Sequence, residues 1–135
     1  MATRPDSATL DRLRALARAA APSEAVAAVF AGRATFAVVA FANRAAVPAS
    51  AFLVDPIEFA IEEHDQRVAG RALIAWFHSH PGGRGGPSAQ DLAQAWPGVG
   101  LWIGTLMAGG RFELAGWDVD ERGARRAFTV TGREP

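Results

Sequence analysis

Along the first quarter of the chain, apolar residues recur at two different spacings. Leu10, Leu13, Leu16, Ala17 and Ala20 follow helical spacing, with Arg12, Arg14 and Arg18 on the other faces. Asp6 or Ser7 is placed to cap this helix, and Pro22 ends it at about Ala21. Two apolar runs follow, Ala25 to Ala31 and Thr35 to Ala42, and Gly32-Arg33 joins them as a hairpin turn. Ala51 to Val54 predicts a short strand. Asp55-Pro56 opens a second helix, with Asp at the cap, Pro at the first helical position and Glu58 in the first turn; it stops before Gly70. Ala72 to Phe77 is apolar on both faces, the pattern of a central strand. Ser88 opens a short third helix reaching about Trp96. Val99 to Leu106, Phe112 to Val119 and Arg125 to Val130 predict three more strands, with Gly109-Gly110 turning between the first two. Helices alternating with antiparallel-looking strands imply an α/β sandwich around a mixed sheet.

Composition narrows the chemistry. A chain of 135 residues, half of them apolar and 21% charged, has room for one domain (1–135) that folds without a disulfide or structural metal. Residues 1–6 and 131–135 are expected to be flexible ends. The 14 basic and 14 acidic residues balance, which argues against nucleic acid as a main partner. Cysteine is absent, so thiol nucleophiles, zinc fingers and iron–sulfur clusters are excluded. Lysine is absent as well, which removes P-loop and Schiff-base chemistry. No run approaches the roughly 20 apolar residues of a membrane span, and the segment from Met1 to Asp11 lacks a signal pattern. A cytoplasmic protein with no membrane partner is the expectation. The four tryptophans, Trp76, Trp96, Trp102 and Trp117, are read as core, and the apolar face of the first helix could support a homodimer.

Three positions stand out for chemistry. His78 and His80 lie two apart, so on a strand they share a face and can converge on one ion. Pro81 stops the strand there, and the glycine-rich stretch from Pro81 to Pro87 reads as a loop. An ordinary pair of hydrogen-bonded histidines is the competing reading. Ser88 and Asp91 form a Ser-x-x-Asp pair, which is a helix-start signature in its own right. Alternatively, Asp91 faces back toward the histidines from the first helical turn. Two imidazoles and a carboxylate with a fourth position open to water form the ligand set of a catalytic zinc. Hydrolysis at such a centre also requires a base. Glu62 and Glu63 sit with His64 in a polar run typical of a solvated helix face, Glu58 suits a helix dipole, and Glu113 alternates with apolar neighbours as the wet side of a strand. Glu24 differs: it leads the apolar run from Ala25, directly after Pro22-Ser23. It is the candidate base, with a capping role as its alternative.

The string His78-Ser79-His80-Pro81, six residues, Ser88, two residues, Asp91 resembles the signature of the JAMM/MPN+ metalloprotease family. The stretch from Pro22-Ser23-Glu24 to Gly32 is similar to that family's first motif, although Ala25-Val26-Ala27-Ala28 stands where many members have Cys-Gly. The order of elements matches from about Leu10 to Val119. The resemblance implies an MPN/JAMM-like (cytidine-deaminase-like) α/β sandwich with a mixed, largely antiparallel sheet flanked by helices. It implies Zn2+ bound by His78, His80 and Asp91, Glu24 as general base and proton shuttle, and Ser88 as the donor to the oxyanion. The chain lacks the insertions of eukaryotic deubiquitinases and resembles compact bacterial members. Those are similar to enzymes that cut after the C-terminal Gly-Gly of ubiquitin-like sulfur-carrier proteins, whose extended tail would bind by strand addition. The glycine loop between His80 and Asp91 would border the entrance. The alternatives are a non-catalytic MPN-like scaffold and a different zinc hydrolase acting on a small molecule. Zinc deaminases favour His-x-Glu with Pro-Cys-x-x-Cys, and this chain has no cysteine.

Overall fold

The structure is a computed structural model describing residues 3–83 and 85–132. Residues 1, 2 and 133–135 of the expected flexible ends, and residue 84 of the glycine loop, lie outside the described residues. The elements are α1 (Ser7–Ala20), β1 (Val26–Ala31), β2 (Phe36–Phe41), α2 (Pro56–Val68), β3 (Ala72–His80), α3 (Ala89–Gln94), β4 (Gly100–Leu106), β5 (Phe112–Asp120) and β6 (Gly123–Gly132), with a short 3-10 turn at Ala108–Gly110. Asp6 caps α1 by accepting from the Thr9 amide, and Asp55 caps α2 ahead of Pro56.

The six strands form one sheet in the order β2-β1-β3-β4-β5-β6. Every neighbouring pair is antiparallel except β3 and β4, which run parallel. A parallel pair requires a crossover, and residues 81–99 supply it, carrying the glycine loop and α3. The mixed, largely antiparallel α/β architecture is thus as expected.

Alternation along the strands sorts the two faces. Ala27 and Val29 of β1 and Ala75 and Phe77 of β3 point toward α1, where they pack with Leu13, Ala17, Phe112 and Leu114 in the main core. The apolar stripe of α1, including Leu10, Leu16 and Ala20, is packed against this core. Gly104 of β4 is part of the same packing, because a Cβ there would lie 2.6 Å from the Phe112 ring. The opposite face carries Val26, which pairs with His78, and Ala28, which pairs with Trp76. There α2 leans on the sheet through Phe59, against Trp76.

The run from Ala51 to Val54 is not a strand. Asn43 takes its backbone instead: Asn43 Nδ2 donates to Ala51 O (2.9 Å) and Asn43 Oδ1 accepts from Leu53 N (3.1 Å). Arg44 N donates to Leu53 O at 2.8 Å. Those groups are satisfied within a loop and make no ladder with another strand.

Candidate metal centre

β3 continues past Phe77 through His80, so Trp76, His78 and His80 share the face opposite α1. Ser79, between the histidines, is fully buried and points the other way. Its Oγ accepts from Ala25 N at 2.8 Å, and its own N–H donates to Ala25 O at 3.0 Å. This docks the start of β1 against the end of β3. Glu24, one residue earlier, has the same parity as Val26 and therefore falls on the histidine face.

The third side chain comes from the crossover. Ser88 caps α3 in a full capping box: Asp91 N donates to Ser88 Oγ (3.0 Å), and Ser88 N donates to Asp91 Oδ2 (2.9 Å). The capping reading of Ser88-x-x-Asp91 holds, and it leaves room for the ligand reading, because the capped carboxylate also reaches the histidines. Asp91 Oδ2 lies 3.1 Å from His78 Nε2 and 3.1 Å from His80 Nε2. The two Nε2 atoms are 3.2 Å apart. A tetrahedral ion with bonds of about 2.0–2.1 Å separates its ligands by about 3.3 Å. His78, His80 and Asp91 are each at most 8% exposed, and together they could hold a metal ion. The donor set of two imidazoles and one carboxylate suits zinc.

The surroundings tune these groups. Burial pushes the Glu24 carboxyl up to about 7; the charge of His80 pulls against this and that of Asp91 adds to it. Glu24 Oε1 is buried with no hydrogen-bond partner among the described residues. Burial pushes His78 down, opposed by its contact with Asp91. Burial alone would raise Asp91, but the bonds from His78 and His80 and from the Ser88 amide hold it well below the usual carboxylate range. The His78 ring is stacked on Phe52, with centroids 4.7 Å apart, and its Nδ1 has no partner among the described residues.

The other acids fall where the pattern put them. His64 is exposed on α2, Glu58 pairs with Arg44 at the surface, and Glu62, Glu63 and Glu113 are partly exposed. The tryptophans divide. Trp102 and Trp117 are buried, whereas Trp96 is 45% exposed and packs edge-on against Trp76 and Phe59. The core reading fails for Trp96 and holds in part for Trp76, which is half-buried with its Nε1 out of water.

Asn43 escaped the sequence reading. Its Nδ2 also donates to Glu24 O at 3.0 Å, and Glu24 N donates to Pro48 O at 2.7 Å. Both backbone groups of Glu24 are thus tied to the loop that Asn43 organises, the loop that also carries Phe52. An Asn just after an apolar strand signals a turn. Nothing in its local sequence shows that it crosses to Glu24.

A six-stranded sheet with a His-x-His strand end and an acid-bearing crossover helix defines a class of small domains with a built ligand cluster. The family model for prokaryotic homologs of the JAB domain matches residues 6–119, and the chain belongs to that family. A protein from Desulfitobacterium hafniense, known from a solution structure, is 25% identical, with a TM-score of 0.78 over 90% of this chain and 86% of that one. A second, from Salinibacter ruber, is 21% identical with a TM-score of 0.66, over 93% and 89% of the two chains, and shares the fold. No curated protein matches the chain. Among the described residues, no helix is long and apolar enough to cross a membrane.

Proposed function

We propose that this domain is a zinc-dependent peptidase that hydrolyses an amide bond after the C-terminal Gly-Gly of a ubiquitin-like or sulfur-carrier protein in the cytoplasm. One observation carries the reading: three buried donor atoms converge, and a buried Glu24 carboxyl with an unpartnered oxygen feels the charges of two of their residues, His80 and Asp91. His78 and His80 would hold the ion through Nε2, and Asp91 through Oδ2. Bound there, zinc supplies Lewis-acid polarisation of the scissile carbonyl and acidifies a water. Glu24 takes a proton from the attacking water as its oxygen adds to the carbonyl carbon. It returns that proton to the leaving nitrogen as the C–N bond breaks. The Ser88 hydroxyl accepts from Asp91 N and still has its own proton to donate to the carbonyl oxygen as negative charge develops. The family match supports a JAB-type domain, and the resemblance of the His78-to-Asp91 string to JAMM metalloproteases is what suggests the substrate class.

The test is zinc quantitation on the purified chain, coupled to mass spectrometry of C-terminally extended sulfur carriers incubated with and without a chelator. About one zinc per chain is expected, with cleavage only when it is retained. Glu24→Gln should keep the metal and lose about 10²- to 10⁴-fold in rate. His78→Ala and Asp91→Asn should lose the metal. Cleavage by Glu24→Gln at the unmutated rate, or full zinc in both ligand variants, overturns the assignment.

A further inference from the structure

We propose that the aromatic cleft beside Asp91 binds the residue on the leaving side of the scissile bond, and that this residue is large and apolar. The cleft, of about 500 Å3, lies between α2, the crossover and strands β3 and β4. Phe59, Trp76 and Trp96 form one wall, with ring centroids 4.9 to 5.7 Å apart. Asp91 is the one charged residue in the lining among the described residues. Its carboxylate also contacts both histidines, so the cleft and the ligand cluster share this residue. Phe52 joins the two, lining the cleft while stacked on His78. We therefore seat in this cleft the side chain of a residue close to the reacting amide.

The side of the bond follows from the proposed function, on which this step rests. Two glycines before the scissile bond have no side chains to fill an apolar cleft. The occupant belongs to the residue that leaves with the amine. Aromatic walls and nearly half-exposed Trp96 favour a phenylalanine- or leucine-sized group over a charged or small one. Burying such a side chain is worth about 10- to 100-fold in selectivity over alanine.

Two measurements test this. Phenylalaninamide, leucinamide, alaninamide and aspartate amide are titrated into the full chain while the indole N–H resonances are followed. Trp76 and Trp96 should shift with the first two amides only, and Trp102, on the opposite face of the sheet, should stay still. Peptides ending Gly-Gly-X are then cleaved with X as Phe, Leu, Ala or Asp. Phe and Leu should lead by about 10- to 100-fold, and Trp96→Ala should flatten the series. Shifts with phenylalaninamide but no cleavage of any Gly-Gly-X peptide would support the apolar cleft and overturn the Gly-Gly reading. Equal response to all four amides overturns the proposal. So do Trp76 and Trp96 signals that move only with protein concentration, because a second copy would then be covering the cleft.

Discussion

The two faces of the sheet are made by the same strands and have opposite characters. Toward α1, β1 and β3 present Ala27, Val29, Ala75 and Phe77, all fully buried and apolar. Toward α2, β3 presents half-buried Trp76 and then His78 and His80, and the buried Glu24 precedes Val26 of β1. One side is packed for stability alone. The other keeps polar atoms out of water without partners, including Glu24 Oε1 and His78 Nδ1. An unsatisfied buried group costs about 1–3 kcal/mol, so the α2 side is held in place by the rest of the fold. Sequence neighbours on β3 should therefore respond to different extents to substitution.

The sharpest break of this contrast is at adjacent residues. Phe77→Ala should cost about 3–5 kcal/mol in denaturant unfolding of the metal-free protein, through the cavity it leaves. His78→Leu should abolish metal binding yet cost less stability than Phe77→Ala, since it removes the unpartnered Nδ1 while taking from Asp91 only one of its two imidazole contacts. Equal losses in the two variants would erase the distinction between the faces.

A second test uses pH. Glu24 titrates at 4.5 ordinarily and at about 7 in the fold. Between those values the unfolded chain has released its proton and the folded chain has kept it. The Glu24 contribution to the stability of the metal-free protein therefore falls as pH rises from 4.5 to about 7, then levels off, while His78, pushed down by burial, adds the opposite slope in parent and variant alike. Glu24→Gln should remove this fall, leaving the variant more stable than the parent at pH 8 and no more stable below pH 4.5. Parallel stability curves would refute the burial of Glu24 as a charged group.

The smallest effect expected is at Asn43. Asn43→Asp keeps the acceptor for Ala45 N and Leu53 N but loses the donor to Glu24 O, Ala51 O and Pro48 O. Zinc content and KM should hold while kcat drops about tenfold, as the loop's grip on the Glu24 backbone loosens. A lowered melting temperature with unchanged kcat would make Asn43 a loop residue only.

Most of the site was legible because its signals are periodic or tightly spaced. His78 and His80 two apart on a strand, Pro81 as a stop, and Ser88-x-x-Asp91 as a helix start each fix a direction locally. Glu24 was found by its place ahead of an apolar run. What escaped depends on contacts distant in sequence. The apolar Ala51–Val54 run satisfies strand propensity, yet its backbone is claimed by Asn43, eight or more residues away. Trp96 reads as core by residue type, yet it lies past the end of α3, exposed, against Trp76 and Phe59.

Asp91 Oδ2 accepts the Ser88 amide while touching both imidazoles, so the first turn of α3 and the histidine pair share a single atom. That amide is a built-in gauge. Any change in the electron density of the carboxylate, whether from a bound ion or from a displaced ring, is passed to its proton. The Ser88 N–H resonance would thus read out loading of the centre without a substrate and without a label on the ion.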